Sequence, residues 1–138
     1  MSLRTSTARI ANELRAGCLP DVVAEVREVH DKYEAALSSN DLDALDALFW
    51  RDAKTIRFGP NGTLMGHASI SAFRRSRRFK ESRRIILAQH LTTFGRDFAI
   101  TNQETRSADS GEVIRQSQTW VRTEHGWRIV AAHVSTWP

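Results

Sequence analysis

Three side chains suited to binding or protonating a small acid are spread along the chain: Tyr33, Arg57 and His133. Tyr33 falls on the apolar stripe of a predicted helix, so we expect a buried ring whose hydroxyl needs a hydrogen-bond partner. Arg57 interrupts a short run of strand-forming residues, where an inward guanidinium would be a bidentate receptor for a carboxylate. Histidine is the residue type best suited to proton transfer near neutral pH.

Each of these residues also has a purely structural interpretation, which the sequence leaves open. Tyr33 fits a core tyrosine bonded to a backbone carbonyl, Arg57 fits the solvent side of its strand, and His133 fits a satisfied core histidine. Glu104 is similarly ambiguous. It is either an acid kept protonated among apolar neighbours or the partner of an arginine such as Arg106 or Arg115.

The patterns that indicate a bound metal or cofactor are missing from the sequence. The five histidines lie far apart, and none stands in a His-x-x-x-His or His-Glu-x-x-His frame. Neither a Gly-x-Gly-x-x-Gly segment nor a phosphate-binding loop occurs, and the single cysteine, Cys18, lies in an irregular N-terminal region. We therefore expect no cofactor and no metal.

The end of the chain predicts a β-hairpin that could form one wall of a pocket. Two runs rich in β-branched and aromatic residues flank a polar turn over residues 123–126. The predicted facing pairs are Arg122 with Trp127, Trp120 with Ile129, Gln118 with Ala131, and Gln116 with His133. This face is apolar near the turn and polar far from it, which indicates a concave pocket, although a slip of one residue would invert the assignment.

Composition places the chain among single-domain globular proteins. It has 138 residues, 41% hydrophobic and 26% charged, with 20 Lys and Arg against 16 Asp and Glu. One cysteine and no apolar run of about 18 residues favour a cytoplasmic protein without a membrane span. Much of the positive excess lies in one cluster, which we interpret as a solvated helix end rather than a nucleic-acid site: Arg74, Arg75, Arg77, Arg78, Lys80, Arg83 and Arg84.

Helical periodicity dominates the first half of the chain. A short helix over residues 7–15 comes first, within an N-terminal arm. Apolar residues at three- and four-residue spacing then predict a helix capped by Asp21, and a second helix that Asp41 caps and that closes near Arg51. A third helix begins at His67, with one apolar side and one arginine-rich side.

Strands make up the rest. A short strand over residues 54–58 and a return at 63–65 precede the third helix, and long strands over 84–94 and 98–106 precede the closing hairpin. Helices first and antiparallel strands afterwards predict an α+β fold with the helices on one side of a curved sheet. The predicted organisation is an N-terminal arm over residues 1–20 and one domain over residues 21–138.

The order of elements resembles the nuclear-transport-factor-2-like, or SnoaL-like, superfamily, whose cone-shaped sheet wraps around helices on its concave side. The segments YEAAL (33–37), NDLDALDALFW (40–50), TIRFG (55–59) and RQSQTW (115–120) are more narrowly similar to the AtzH-like family. That family is linked to cyanuric acid breakdown and oxalurate catabolism. The resemblance covers about residues 22–135.

The resemblance implies a specific chemistry and a specific site. The type member is a decarboxylating amidohydrolase that converts 1,3-dicarboxyurea to allophanate, and its tyrosine and arginine match Tyr33 and Arg57. We therefore predict Tyr33 and Arg57 as catalytic residues, and we add His133 because its side chain suits proton transfer near neutral pH. The predicted substrate-binding residues are Arg57, Trp50, Gln116, Gln118 and Glu104.

The expected partners follow from the same resemblance. They are a small carboxylate-bearing molecule and a second copy of the chain, because superfamily members usually pair and tryptophans near a sheet face would be an unfavourable monomer surface. An alternative is a non-catalytic binding protein or an accessory subunit of a partner amidase. We expect neither membrane nor nucleic-acid binding.

Overall fold

The structure is a computed structural model that describes residues 18–81 and 83–137. Its elements, in chain order, are α1 (Pro20–Ser39), α2 (Leu42–Leu48), β1 (Ile56–Gly59), β2 (Gly62–Met65), α3 (His67–Ser76), β3 (Arg84–Phe94), β4 (Phe98–Ser107), β5 (Val113–Thr123) and β6 (Gly126–Trp137). The helix predicted over residues 7–15 lies outside the described residues. None of the helices in the described part of the chain is long and apolar enough to cross a bilayer.

The six strands form one curved sheet in the order β2-β1-β6-β5-β4-β3. Neighbouring strands are antiparallel, except that β1 and β6 run parallel. The predicted α+β fold is confirmed. Because the short β1–β2 hairpin joins β6 rather than β3, Arg57 is brought beside the end of the long hairpin that was predicted to form a pocket wall.

The hydrophobic core lies between the inner face of the sheet and the helices. Val22, Val26 and Tyr33 of α1 are buried there, together with Trp120 and Ile129 of the sheet. Burying each large apolar side chain contributes roughly 1.5–3 kcal/mol. This packing holds α1 across the sheet and places the Tyr33 ring in the interior.

The helix ends differ from the prediction in two places. The N-cap of α1 is Leu19, because Pro20 occupies the first helical position, and Asp21 instead lies in the first turn and pairs with Arg96 at 2.6 Å. The predicted cap of α2 is confirmed, since Asp41 accepts a hydrogen bond from the Ala44 amide at 3.1 Å. α2 nevertheless ends at Leu48, before Arg51, since Phe49 becomes extended and bridges to Ile129 of β6.

A β-bulge in the last hairpin overturns half of the predicted register. Near the turn the prediction is right: Arg122 faces Trp127 and Trp120 faces Ile129. The register then shifts by one residue, so that Gln118 faces Ala132 and Gln116 faces Val134. The extra residue is taken up on β6, at Val130. Since side chains alternate between faces, the shift moves His133 to the outer face, where it is exposed.

Candidate functional site

A cavity of about 380 Å³ opens between the end of α1, the helix α3 and the inner face of the sheet. Its apolar wall includes Leu45, Ile70, Phe73 and Ile114, and Tyr33 and Gln116 add polar groups. Pockets of this size and mixed lining are typical of small-molecule sites. This cavity has the polar end of the long hairpin on one side, where the sequence predicted a pocket wall.

Tyr33 reaches this cavity from α1. Its hydroxyl oxygen accepts a hydrogen bond from Gln116 Nε2 at 2.9 Å, within the buried interior. Burial raises the pKa of Tyr33, and the positive charge of the nearby Arg74 offsets part of that rise. The phenol is therefore protonated at neutral pH. Because Gln116 donates to the oxygen, the hydroxyl proton is free to be donated to a ligand.

Arg57 enters the same cavity from β1. Its strand neighbours are Leu64 of β2 and Ala132 of β6, so the side chain points to the inner face, and the solvent-side interpretation is wrong. The Arg57 guanidinium lies 5.6 Å from the centre of the Phe73 ring. It also passes close to the backbone: a Cβ at position 59 would come within 2.7 Å of Arg57 Nη1, so Gly59 leaves the space that the side chain occupies.

The Arg57 guanidinium has no carboxylate partner within 4.0 Å among residues 18–81 and 83–137. Burial lowers the pKa of Arg57, although the side chain remains a cation at neutral pH. A half-buried charge without a counter-charge is costly. A bound carboxylate would remove this cost through two parallel hydrogen bonds.

Other cations surround Arg57 at the cavity wall, and the sequence analysis missed their role. They are Arg74, Arg77, Arg78, Lys80 and Arg84. The described lining contains no Asp or Glu side chain. Two of these cations are neutralised by carboxylates behind the wall, Arg74 by Asp46 at 3.2 Å and Arg84 by Glu34 at 2.7 Å. The cavity thus carries an excess of positive charge and favours an anion.

The arginine cluster was predicted to be a solvated helix end, and this prediction is wrong for Arg74. Its side chain is only 10% exposed and its guanidinium stacks on the Phe49 ring at 4.3 Å. The spacing contained the signal, because Arg74 stands four residues after Ile70 and next to Phe73, on the buried side of the helix. Arg75, Arg77, Arg78, Lys80 and Arg83 are exposed, as predicted, whereas Arg84 is partly buried.

The predicted glutamine pair is divided between the cavity and the core. Gln116 lines the cavity. Gln118 lies deeper, is 2% exposed, and accepts a hydrogen bond from Thr101 Oγ1 at 3.2 Å. Its Nε2 atom has no hydrogen-bond partner among the described residues. Gln116 is therefore placed to contact a ligand directly.

Three other predicted site residues lie away from the cavity. His133, on the outer face, packs its ring edge-on against Phe58 at 5.8 Å, so it cannot reach Tyr33 or Arg57. Glu104 is also on the outer face and pairs with Arg115 at 3.3 Å, which confirms the arginine-partner interpretation. Trp50 lines a different crevice, because α2 ends before it.

The resulting site is an anion receptor that also presents a phenol as a proton donor. The described residues contain no group of three or more His, Cys, Asp or Glu placed to hold a metal ion. Among the lining side chains, Tyr33 and Lys80 are of the types that act as general acids, and Tyr33 is the buried one. The site can bind a carboxylate and protonate or orient the group next to it.

A comparison with protein families shows to which family the chain belongs. The AtzH-like family matches residues 18–138, nearly the whole chain. The chain belongs to the AtzH-like family. The segments 33–37 and 55–59, which carried the resemblance in the sequence, supply Tyr33 and Arg57 of the cavity.

Solved structures of similar proteins support the AtzH-like chain's fold. A protein of unknown function of the DUF3225 family from Pectobacterium atrosepticum SCRI1043 is 42% identical, with a TM-score of 0.85 over 88% of this chain and 95% of that chain. A cystatin-like fold protein from Burkholderia xenovorans LB400 is 39% identical, with a TM-score of 0.83 over 88% and 98%.

A more distant likeness concerns the fold alone. A nuclear-transport-factor-2-like protein from Salmonella enterica serovar Typhimurium LT2 is 23% identical, with a TM-score of 0.69 over 83% of this chain and 90% of that chain. Among curated proteins, no relative matches the chain. The AtzH-like chain is therefore a small protein of nuclear-transport-factor-2-like fold, either an enzyme or a binding protein.

Proposed function

We propose that this AtzH-like protein is a small cofactor-free enzyme that acts on a carboxylated urea- or amide-like metabolite, as a decarboxylating amidohydrolase. The observation behind the proposal is one cavity that is lined by both the Arg57 guanidinium and the protonated Tyr33 phenol. The described lining contains no Asp or Glu, and Arg57 has no carboxylate partner among the described residues. Members of one superfamily reuse a pocket for many chemistries, so the fold alone would not support it.

In this proposal Arg57 is the substrate anchor. A guanidinium presents two parallel N–H groups that match the two oxygens of a carboxylate. The Phe73 ring beside Arg57 limits where the guanidinium can move. Fixing the carboxylate would place the adjacent nitrogen of the substrate at the cavity centre, and positioning of this kind supplies much of the rate enhancement in many enzymes.

Tyr33 is the proposed proton donor. In an N-carboxylated urea or amide, the phenol proton would pass to the nitrogen while the bond between nitrogen and the carboxylate carbon breaks. The bonding electrons remain on nitrogen and the carboxylate leaves as carbon dioxide. The phenolate then regains a proton from water. Arg74 lowers the cost of the transient phenolate, since its positive charge already opposes the rise in the pKa of Tyr33.

The Arg57→Met variant tests this function. Ureido and oxamate-type carboxylates are first screened against the wild-type protein. We expect one of them to raise the thermal midpoint of the protein and to be turned over. Arg57→Met should lose both properties, with turnover reduced by roughly 100-fold or more. Its own thermal midpoint should be unchanged or higher, because a costly unpaired cation is replaced by an apolar side chain.

Arg115→Met is the matched control. Arg115 is an exposed arginine of the outer face, so the variant should keep turnover and ligand stabilisation. A collapse of the Arg57→Met thermal midpoint would show that Arg57 is a structural residue. Full turnover in that variant would remove the proposal.

A second candidate is a binding protein or an accessory subunit of a partner amidase. The outward position of His133 favours it, because the described lining then offers Tyr33 and Lys80 as proton donors and contains no imidazole or carboxylate to complete an acid–base pair. Ligand-dependent stabilisation without turnover, together with co-purification of a larger hydrolase, would support this candidate over the enzyme.

A further inference from the structure

A second crevice of about 460 Å³ lies beside the turn of the β5–β6 hairpin and the segment that follows α2. Phe49, Trp50 and Arg51 line one side, and residues 123–125 and Arg128 line the other. It shares no lining residue with the main cavity. Trp50, which the sequence assigned to the substrate site, therefore belongs to a separate place on the molecule.

The walls of this crevice are fixed by hydrogen bonds. The Trp50 amide donates to the Ile129 carbonyl at 3.0 Å, and the Trp50 carbonyl accepts from Thr55 Oγ1 at 2.7 Å. On the opposite side, Thr123 Oγ1 donates to the Gly126 carbonyl across the turn at 2.8 Å. Both sides are thus anchored to regular structure, so the crevice is formed before any ligand arrives.

Two arginines, Arg51 and Arg128, line the same crevice. Burial lowers the pKa of Arg128, and the like charge of Arg51 lowers it further. Neither arginine has a carboxylate within 4.0 Å in the part of the chain that the structure describes. Arg128 Nη1 donates to the Trp127 carbonyl at 2.8 Å, which leaves its other N–H groups for a ligand.

The nearby acid does not offset this charge. Glu124 also lines the crevice, but it is highly exposed and lies 3.4 Å from His125 Nε2. Arg51 is exposed and Arg128 is half-buried, and an anion bound between these like charges would offset their repulsion. The indole of Trp50 adds a flat apolar surface next to these charges.

We propose that the crevice formed by Trp50, Arg51 and Arg128 is a second ligand site, which binds a planar aromatic carboxylate. The carboxylate would lie between the two guanidinium groups, whose forked N–H groups match its oxygens. The aromatic ring would lie against the Trp50 indole. This site is independent of the proposed reaction, because it shares no residue with the main cavity.

The test is a calorimetric titration with naphthalene-2-carboxylate, carried out on the full chain in an Arg57→Met background so that the main cavity lacks its anchor. We expect saturable binding in this background. Adding Arg51→Gln or Arg128→Gln should weaken binding by about tenfold or more, as expected for losing a charge-assisted pair. The neutral amide, 2-naphthamide, should bind at least about tenfold more weakly, because it has the same ring and no charge.

Two results would overturn the second site: no saturable binding in the Arg57→Met background, or binding that Arg51→Gln leaves unchanged. Arg51 is exposed and makes no described hydrogen bond through its side chain, so Arg51→Gln should fold and decides the question if Arg128→Gln does not. Failure here leaves the proposed enzyme function standing, since that function is read from turnover with Arg57 present.

Discussion

At the scale of single residues, the hydrogen bond between Tyr33 and Gln116 allows the structural role of Tyr33 to be tested separately from its proposed catalytic role. Gln116 Nε2 donates to the Tyr33 oxygen at 2.9 Å inside the protein. The two side chains come from α1 and β5, so the bond also joins helix to sheet. Removing one partner leaves the other buried and unsatisfied, whereas removing both replaces the pair by apolar groups.

We expect Tyr33→Phe to lower the free energy of unfolding by about 1–3 kcal/mol, because Gln116 Nε2 loses its acceptor. Adding Gln116→Leu should restore much of this loss, since the unsatisfied amide is then gone. Turnover should stay low in both variants, because neither has the phenol. Urea unfolding and a turnover assay measure the two effects. Turnover that returns with stability in the double variant would show that Tyr33 acts only through packing.

At the scale of secondary-structure elements, Asp46 joins α2 to α3. Its carboxylate accepts from Ser71 Oγ at 2.7 Å, Arg75 Nη2 at 2.8 Å and Arg74 Nη1 at 3.2 Å. His67 Nε2 donates to the Asp46 backbone carbonyl at 2.8 Å. These bonds hold the helix that carries Phe73 and Arg74 to the cavity wall, so the anion site depends on an acid outside the cavity.

Asp46→Asn should lower the free energy of unfolding by roughly 3 kcal/mol, the lower end of the range for breaking a buried ion pair, because it leaves Arg74 without a counter-charge. Asp43→Asn is the matched control. Asp43 is 93% exposed and contacts Arg75 at 3.0 Å, so its loss should cost less than about 0.5 kcal/mol. Equal effects of the two variants in urea unfolding would contradict the role assigned to Asp46.

The same carboxylate gives a pH dependence. Burial raises the pKa of Asp46, but the hydrogen bonds from Ser71 and Arg75 and the charge of Arg74 outweigh burial and hold that pKa below its usual value. A lowered pKa means that the stabilisation is present above the unfolded value of about 4 and is lost as pH falls through the folded value. The stability gap between wild type and Asp46→Asn should therefore shrink below about pH 4.

The sequence predicted the elements of this fold well, because their signals are local. Apolar spacing located α1 and α3, and the Gly and Pro residues of the turns separated the strands. The bulge at Val130 could not be predicted in the same way, since no special residue marks it and the extra position is fixed by how β5, β6 and Phe49 pack together. That one residue decided the position of His133.

The candidate site was predictable in part for the same reason. Tyr33, Arg57 and Gln116 were found because the predicted elements and the family resemblance both pointed to them, and the structure brings them to one cavity. Arg74 was missed because the whole arginine cluster was assigned to the polar side of α3, although the spacing from Ile70 places Arg74 on the apolar side; its partner, Asp46, comes from another helix. Contacts between distant segments are not visible in a single sequence.

At the scale of the whole molecule, the two faces of the sheet differ in chemistry. The inner face supports the core and the cationic cavity. The outer face carries exposed apolar side chains on several strands, among them Phe58, Ile85, Phe98, Ile100 and Trp137. Phe98 is 56% exposed. Ile100 of β4, Thr119 of β5 and Ala131 of β6 are cross-strand neighbours and extend this outer surface across the sheet. Exposed apolar area of this kind marks an interface more often than a free surface.

We propose that this outer face pairs with the same face of a second copy, because a two-fold axis through a sheet face makes one apolar patch serve both partners. Light scattering after size exclusion should give twice the monomer mass for the wild-type protein. Ile100→Asp should give the monomer mass, since each partner would then bury an unpaired charge in the apolar face. Phe79→Asp, which changes an exposed aromatic away from the sheet, should keep the doubled mass. A monomeric wild type, or a dimer that Ile100→Asp leaves intact, would exclude pairing through this face.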